Sequence, residues 1–276
     1  MQIGIFANTF VRPTLEETLD AVKAHRLEVV QFNLECAGVP YMPDRIEGEL
    51  CDTIRREMAS RGIVMAAVSG TFNMIHPNVK ERQRGMRRLR ELAAACKRLD
   101  TPVITLCTGT RNPNSMWATH PENGSPEAWR DLLASIGEAS EIAEENGVTV
   151  AFEPEVANVV DSAQKARRLL DEVQSAHLKV VIDGANIYHA GELSRMREIL
   201  DEAFALLGEA VVHAHAKDLD HDGEAGKLAT GTGLLDYDHY LLLLQKIGFE
   251  GPLILHGLEE KQVNASRDFL FEKLAD

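Results

Sequence analysis

Eight short apolar blocks alternate with eight longer stretches of helical spacing along the whole chain, and this repeat constrains the fold more than any other feature. The blocks are QIGIFA (2–7), EVVQFNL (28–34), IVMAAVSG (63–70), PVITLCTG (102–109), VTVAFEP (148–154), LKVVID (178–183), AVVHAHAK (210–217) and PLILHG (252–257). Between or after them lie 14–25, 47–62, 81–99, 125–147, 161–173, 194–208, 237–248 and 266–274, where apolar residues recur at helical intervals. Near-continuous runs of Val, Ile, Leu and Ala mark strands of a parallel sheet buried on both faces. Eight such units in 276 residues match one closed barrel of roughly 250 residues. The sequence therefore predicts an α/β fold, a (β/α)8 TIM barrel, with a single domain over 1–276.

Local signals agree. Thr14 followed by Glu17 forms a capping box, Pro126 after Ser125 suits a first helical turn, and Gly147 and Gly248 stop their helices. The longest connections follow the fourth strand (110–125) and the seventh (218–235). Both lie on the side where barrel active sites assemble.

Charge narrows the partners. A formal net charge of -14 repels phosphate backbones and anionic bilayers, so no nucleic acid and no membrane partner is expected, and small solutes are favoured. Cys36, Cys51, Cys96 and Cys107 show no CxxC spacing, and neither a signal peptide nor a spanning apolar run is present. A cytoplasmic, reducing compartment is the expectation.

Ionisable groups on a buried strand are costly unless paired or bound to a metal. Here they gather at the C-terminal ends of consecutive strands: Glu153, Asp183, His213 with His215, and His256. Two carboxylates and two imidazoles at one rim make a mixed oxygen and nitrogen site, expected to hold a divalent metal through Glu153, Asp183, His215 and His256. Such a set suits Mn2+, Co2+, Fe2+, Ni2+ or Zn2+, with Mg2+ less suited. His213 and His215 face the same side, two residues apart; His215, nearer the strand end, is the expected ligand and His213 a supporting or core residue. Glu155 shares the face of Glu153 if the strand runs past Pro154, and is otherwise a loop carboxylate.

The motifs VAFEPE, VVIDGAN, HAHAKD and GTGLLDYDHYLLLLQKIGFEGPLIL together resemble the xylose-isomerase-like barrel superfamily, which includes sugar phosphate isomerases and epimerases, hydroxypyruvate isomerase, inosose dehydratase and barrel-type apurinic endonucleases. The resemblance runs along nearly the whole chain and implies a carbohydrate-metabolism enzyme with metal ligands at Glu153, Asp183 and His215. Two departures stand out. The histidine usual three residues after the strand-six aspartate is Asn186, and the strand-eight glutamate falls on His256. Members are often dimers or tetramers, so the resemblance also implies a homo-oligomer.

The expected chemistry is metal-dependent isomerisation of a sugar, sugar acid or keto acid. The metal chelates adjacent oxygens and stabilises an enediolate while Glu153 takes and returns the proton. A liganded imidazole is a poorer carbon-proton base than a carboxylate, so His256 in the acid/base pair favours one-base chemistry over symmetric epimerisation. Lys217 either steadies the developing oxyanion or pairs with Asp218 as an exposed lysine. Substrate contacts are expected from Asn8, Asn33, Glu35, His76, Thr108, Arg111, Trp117, His120 and Asn186, with Arg111 suited to an anionic group. Dehydration or epimerisation of a sugar or inositol derivative, and a non-catalytic sugar-binding barrel, are the alternatives. An endonuclease is disfavoured by the acidic charge and by Cys107-Thr108-Gly109-Thr110, which ends the fourth strand without a histidine.

Overall fold

Hydrogen bonding closes the expected parallel sheet on itself. The computed structural model describes residues 1–275; Asp276, the last residue of the expected domain, lies outside them. Strands β1 (Gln2–Phe6), β2 (Val29–Phe32), β3 (Val64–Ser69), β4 (Val103–Cys107), β5 (Thr149–Glu153), β6 (Leu178–Asp183), β7 (Val211–Ala216) and β8 (Pro252–Leu255) pair in sequence order as a closed barrel. Every pairing is parallel, including the closing one between β1 and β8, where Gln2 sits opposite Pro252 and Ile5 opposite Leu255. Parallel order throughout puts all eight C-terminal strand ends on one rim.

Helices α1 (Leu15–Ala24), α2 (Gly48–Ser60), α3 (Val79–Leu99), α4 (Pro126–Asn146), α5 (Ala163–Val173), α6 (Met196–Leu207), α7 (Tyr237–Lys246) and α8 (Val263–Ala275) form the outer ring. Their apolar stripes pack on the strands, burying Leu19, Ile54, Leu89, Ile136 and Leu200 completely. Thr14 accepts the Glu17 N–H, which is the N-cap half of the expected capping box, Ser125 accepts that of Ala128, and Gly147 and Gly248 take the left-handed conformation that ends a helix. Helix α8 begins before the apolar periodicity at 266 does, because a 3-10 turn over Glu260–Gln262 runs straight into it. No helix among the described residues is long and apolar enough to cross a membrane.

Two tyrosines of α7 tie this outer layer to the rim. Tyr240 is fully buried, and its hydroxyl faces the carbonyls of Ile182 and His215 at 3.2 and 3.0 Å. Tyr237 donates to the carbonyl of Lys217 at 2.9 Å. Carbonyls near strand ends have fewer ladder partners, and a buried one without a donor costs free energy. Tyr240→Phe should lower stability by about 1–2 kcal/mol in urea unfolding; a change within a few tenths would show that these carbonyls are satisfied otherwise.

Candidate active site

At the C-terminal rim, Asp183, His215 and His256 each bring one ligand atom to within 4.8 Å of the others. Asp183 ends β6 and His215 lies opposite it in register on β7. His256 follows β8, held there by its backbone N–H to the carbonyl of Ala216 at 3.0 Å. Its ring stacks on Phe6 of β1 at 4.4 Å and 24°, which limits its rotation. Glu153 of β5 is adjacent: His215 Nδ1 lies 3.3 Å from Glu153 Oε1 and 3.9 Å from Asp183 Oδ2.

Burial and charge set the electrostatics of this group. Asp183 is fully buried; its Oδ1 accepts the Ala185 N–H at 2.9 Å, while Oδ2 has no hydrogen-bond partner. Burial raises its pKa above the usual carboxylate value, against the opposing pull of Lys217. Burial acts on Glu153 in the same direction, but nearby positive charge, that of His215 when protonated and then that of Lys217, outweighs it and holds the carboxyl down at about 2. Burial drives the imidazoles of His213 and His256 well below their ordinary value. Glu155 is buried and pushed up to about 7, first by burial and then by Glu153.

Lys217 is buried, with Nζ 3.6 Å from Asp183 Oδ2, so the exposed pair with Asp218 does not form. Asp218 instead organises the loop after β7, accepting backbone N–H groups from Leu219, Leu235 and Gly231. The loop passes so close that a Cβ on Gly233 would meet Leu219 O at 2.3 Å and Asp218 Oδ1 at 2.5 Å, which accounts for the glycine.

A cavity of about 980 Å³ opens above the cluster. Of the expected contact residues, Asn8, Asn33, Glu35 and Trp117 line it, as do Glu153, His215, Lys217 and His256. Five others point elsewhere. Thr108 is buried and accepts the Val160 N–H. Arg111 is buried, paired with Asp131 at 2.7 Å and bonded to the Ile75 carbonyl. His76 accepts the Asn78 N–H and contacts the Pro113 carbonyl. His120 caps a 3-10 turn over Pro121–Gly124. Asn186 is buried, its Nδ2 donating to Glu153 Oε1 at 2.6 Å.

Gln31, Ser69 and Thr105, uncharged polar residues absent from the sequence expectations, also face the cavity. Gln31 Oε1 accepts from His213 Nε2 and His215 Nε2, both at 2.9 Å. Its Nε2 donates to Ser69 and Thr105 hydroxyls at 2.9 Å each. The signal for them was a glutamine, a serine and a threonine inside three otherwise apolar strands.

Residues 13–273 match the family model described as xylose isomerase-like TIM barrel. Among curated proteins the chain is similar to the ketose 3-epimerase of Arthrobacter globiformis, 27% identical over 135 residues, or 47% of this chain and 42% of that protein. The chain thus spans less than half the length of that relative. Among solved structures it is similar to a D-tagatose 3-epimerase-like protein, with a TM-score of 0.79 and 16% identity over 100% of this chain and 97% of that one. It is also similar to the IolI protein solved with a zinc atom, with a TM-score of 0.77 and 18% identity over 100% and 98%. At these identities the structural likeness bears on the fold.

The bonds of Arg111 make it a stabilising residue of the outer loops. Arg111→Met keeps volume but removes the charge-assisted bonds, and should cost about 2 kcal/mol by chemical denaturation. Ligand affinity at the rim should not change; a variant of native stability would refute the assignment.

Proposed function

The chain belongs to the xylose isomerase-like TIM barrel family, and from that premise we propose that it is a divalent-metal-dependent sugar isomerase with Glu153 as the base that moves a proton between neighbouring carbons. One observation carries the reading: a buried carboxylate oxygen, Asp183 Oδ2, has no hydrogen-bond partner and belongs to a set of three ligand residues converging within 4.8 Å. Its nearest cation is the Lys217 ammonium at 3.6 Å, beyond hydrogen-bond distance, so the lone pairs of this buried oxygen stay open to a closer cation. Asp183, His215 and His256 fit a divalent ion by donor type and convergence, with Glu153 beside His215 as the fourth candidate ligand. Such an ion, when bound, supplies Lewis-acid stabilisation of negative charge developing on vicinal oxygens of the sugar.

The remaining work falls to side chains. Glu153 is ionised at neutral pH, as a base must be. Its Oε1 accepts from Asn186 Nδ2 at 2.6 Å, which orients the carboxylate and leaves Oε2 to receive the proton. Lys217 supplies a positive charge at the cavity floor for an oxyanion. His256, and not a carboxylate, stands directly after β8, so in this reading the proton returns from Glu153 and the outcome is transfer along the chain of the sugar.

The lining favours a neutral sugar over a phosphorylated or acidic one. Lys217 and Lys227 are the lysines facing the cavity and no arginine does, whereas Glu35, Glu153 and Glu259 are there. Lys227 is already paired with Glu224.

Metal analysis of the purified protein should find about one divalent ion per chain, with Asp183→Asn and His256→Ala weakening affinity by at least about 10-fold. Glu153→Gln should cost about 10²–10⁴ in rate on a panel of neutral aldoses and ketoses. In deuterated water, label at the carbon next to the new carbonyl identifies isomerisation, label with inversion identifies epimerisation, and loss of a hydroxyl identifies dehydration. A wild-type protein that binds no divalent metal overturns the proposal.

A further inference from the structure

A hydrogen-bond chain crosses the barrel from the cavity wall to His215, and its direction can be read from the chemistry of its members. The Ser69 hydroxyl donates to Asn33 Oδ1 at 3.2 Å, so towards Gln31 it can only accept. Gln31 Nε2 therefore faces β3 and β4, and the amide oxygen faces β7, where both imidazole Nε2 atoms lie at 2.9 Å. An amide oxygen accepts and never donates, and a neutral imidazole carries one N–H. In their neutral forms both rings accordingly hold their hydrogen on Nε2 and leave Nδ1 bare. The buried Nδ1 of His213 has no partner, as a lone pair without a donor should. The bare Nδ1 of His215 faces Glu153 Oε1 at 3.3 Å and Asp183 Oδ2 at 3.9 Å. The opposite tautomer would satisfy Glu153 but set two lone pairs against each other at 2.9 Å, between His215 Nε2 and Gln31 Oε1.

We propose that Gln31 is a positioning residue: its amide oxygen locks His215 in the Nε2–H form and so presents Nδ1 to a divalent cation, with His213 bracing the same oxygen from the layer below. The role of the cation rests on the functional reading above; the lock itself concerns the metal-free chain. The other tautomer would turn a proton towards the carboxylates, where it competes with a metal for the same lone pair.

Two-bond nitrogen–proton correlation spectra of 15N-histidine-labelled, metal-free protein test the lock directly, at a pH alkaline enough for the rings to be neutral. His213 and His215 should show Nε2–H, and added zinc should shift the His215 Nδ1 resonance. Gln31→Leu should populate Nδ1–H on His215 and raise the zinc dissociation constant by about 10–100-fold, whereas Gln31→Glu, which keeps an acceptor, should stay within about 3-fold of wild type. Nδ1–H on neutral His215 of the wild type, zinc carried on Nε2, or wild-type zinc affinity in Gln31→Leu overturns the proposal. If the wild type takes up no zinc, the metal reading fails, while the tautomers of the metal-free protein still decide the role of Gln31.

Discussion

Pairing of β1 with β8 is the contact on which the site depends. In an open sheet these strands would be the two edges, with Phe6 and His256 at opposite ends of the molecule. Closure sets Gln2 to Ile5 against Pro252 to Leu255 and stacks the two rings at 4.4 Å. It also makes a lumen across which Gln31 of β2 can reach His213 and His215 of β7. Parallel order then sends every strand's C-terminal end to the same rim. Charges that would be prohibitive singly in a buried sheet are tolerable there because each lies among partners of the others.

The fold was legible because its determinants are local. Strand runs, helical spacing and caps can each be read within a window of a dozen residues, and only one common architecture uses eight such units in this length. The rim group of Glu153, Asp183, His215 and His256 was legible for a related reason: an ionisable residue in an apolar strand is rare enough to be noticed by itself. Asn186 and Arg111 show the limit. Both follow strand ends, yet Asn186 is spent on the Glu153 carboxylate and Arg111 on Asp131. Position after a strand gives the neighbourhood of a side chain, whereas loop geometry gives its direction.

Gln31, Ser69 and Thr105 were hidden for another reason. Each is an uncharged polar residue in a different strand, and each has an ordinary place in a barrel interior when taken alone. Their meaning lies in pairs separated by 38, 74 and 184 positions, which no local pattern reveals. Asp218 misled in the opposite sense. A pair with the neighbouring lysine was one of the two expectations for that lysine, but three backbone N–H groups of the following loop claim the carboxylate. With that carboxylate occupied, Lys217 turns inward to Asp183.

The exchange of a carboxylate for His256 alters the charge balance of the rim as well as its ligand set. Glu153 and Asp183 bring two negative charges, which one divalent cation neutralises, so in the proposed reading the charge of Lys217 is not consumed by the resting site. A glutamate in place of His256 would add a third negative charge, and Lys217 would then be needed to offset it. With imidazole there, and with burial keeping that imidazole neutral, the floor of the proposed site with its divalent ion bound would carry a net positive charge before substrate arrives. Under that proposal, a neutral sugar that becomes anionic during proton transfer would gain from such a floor more in the transition state than in the ground state, which is the condition for faster chemistry instead of merely tighter binding.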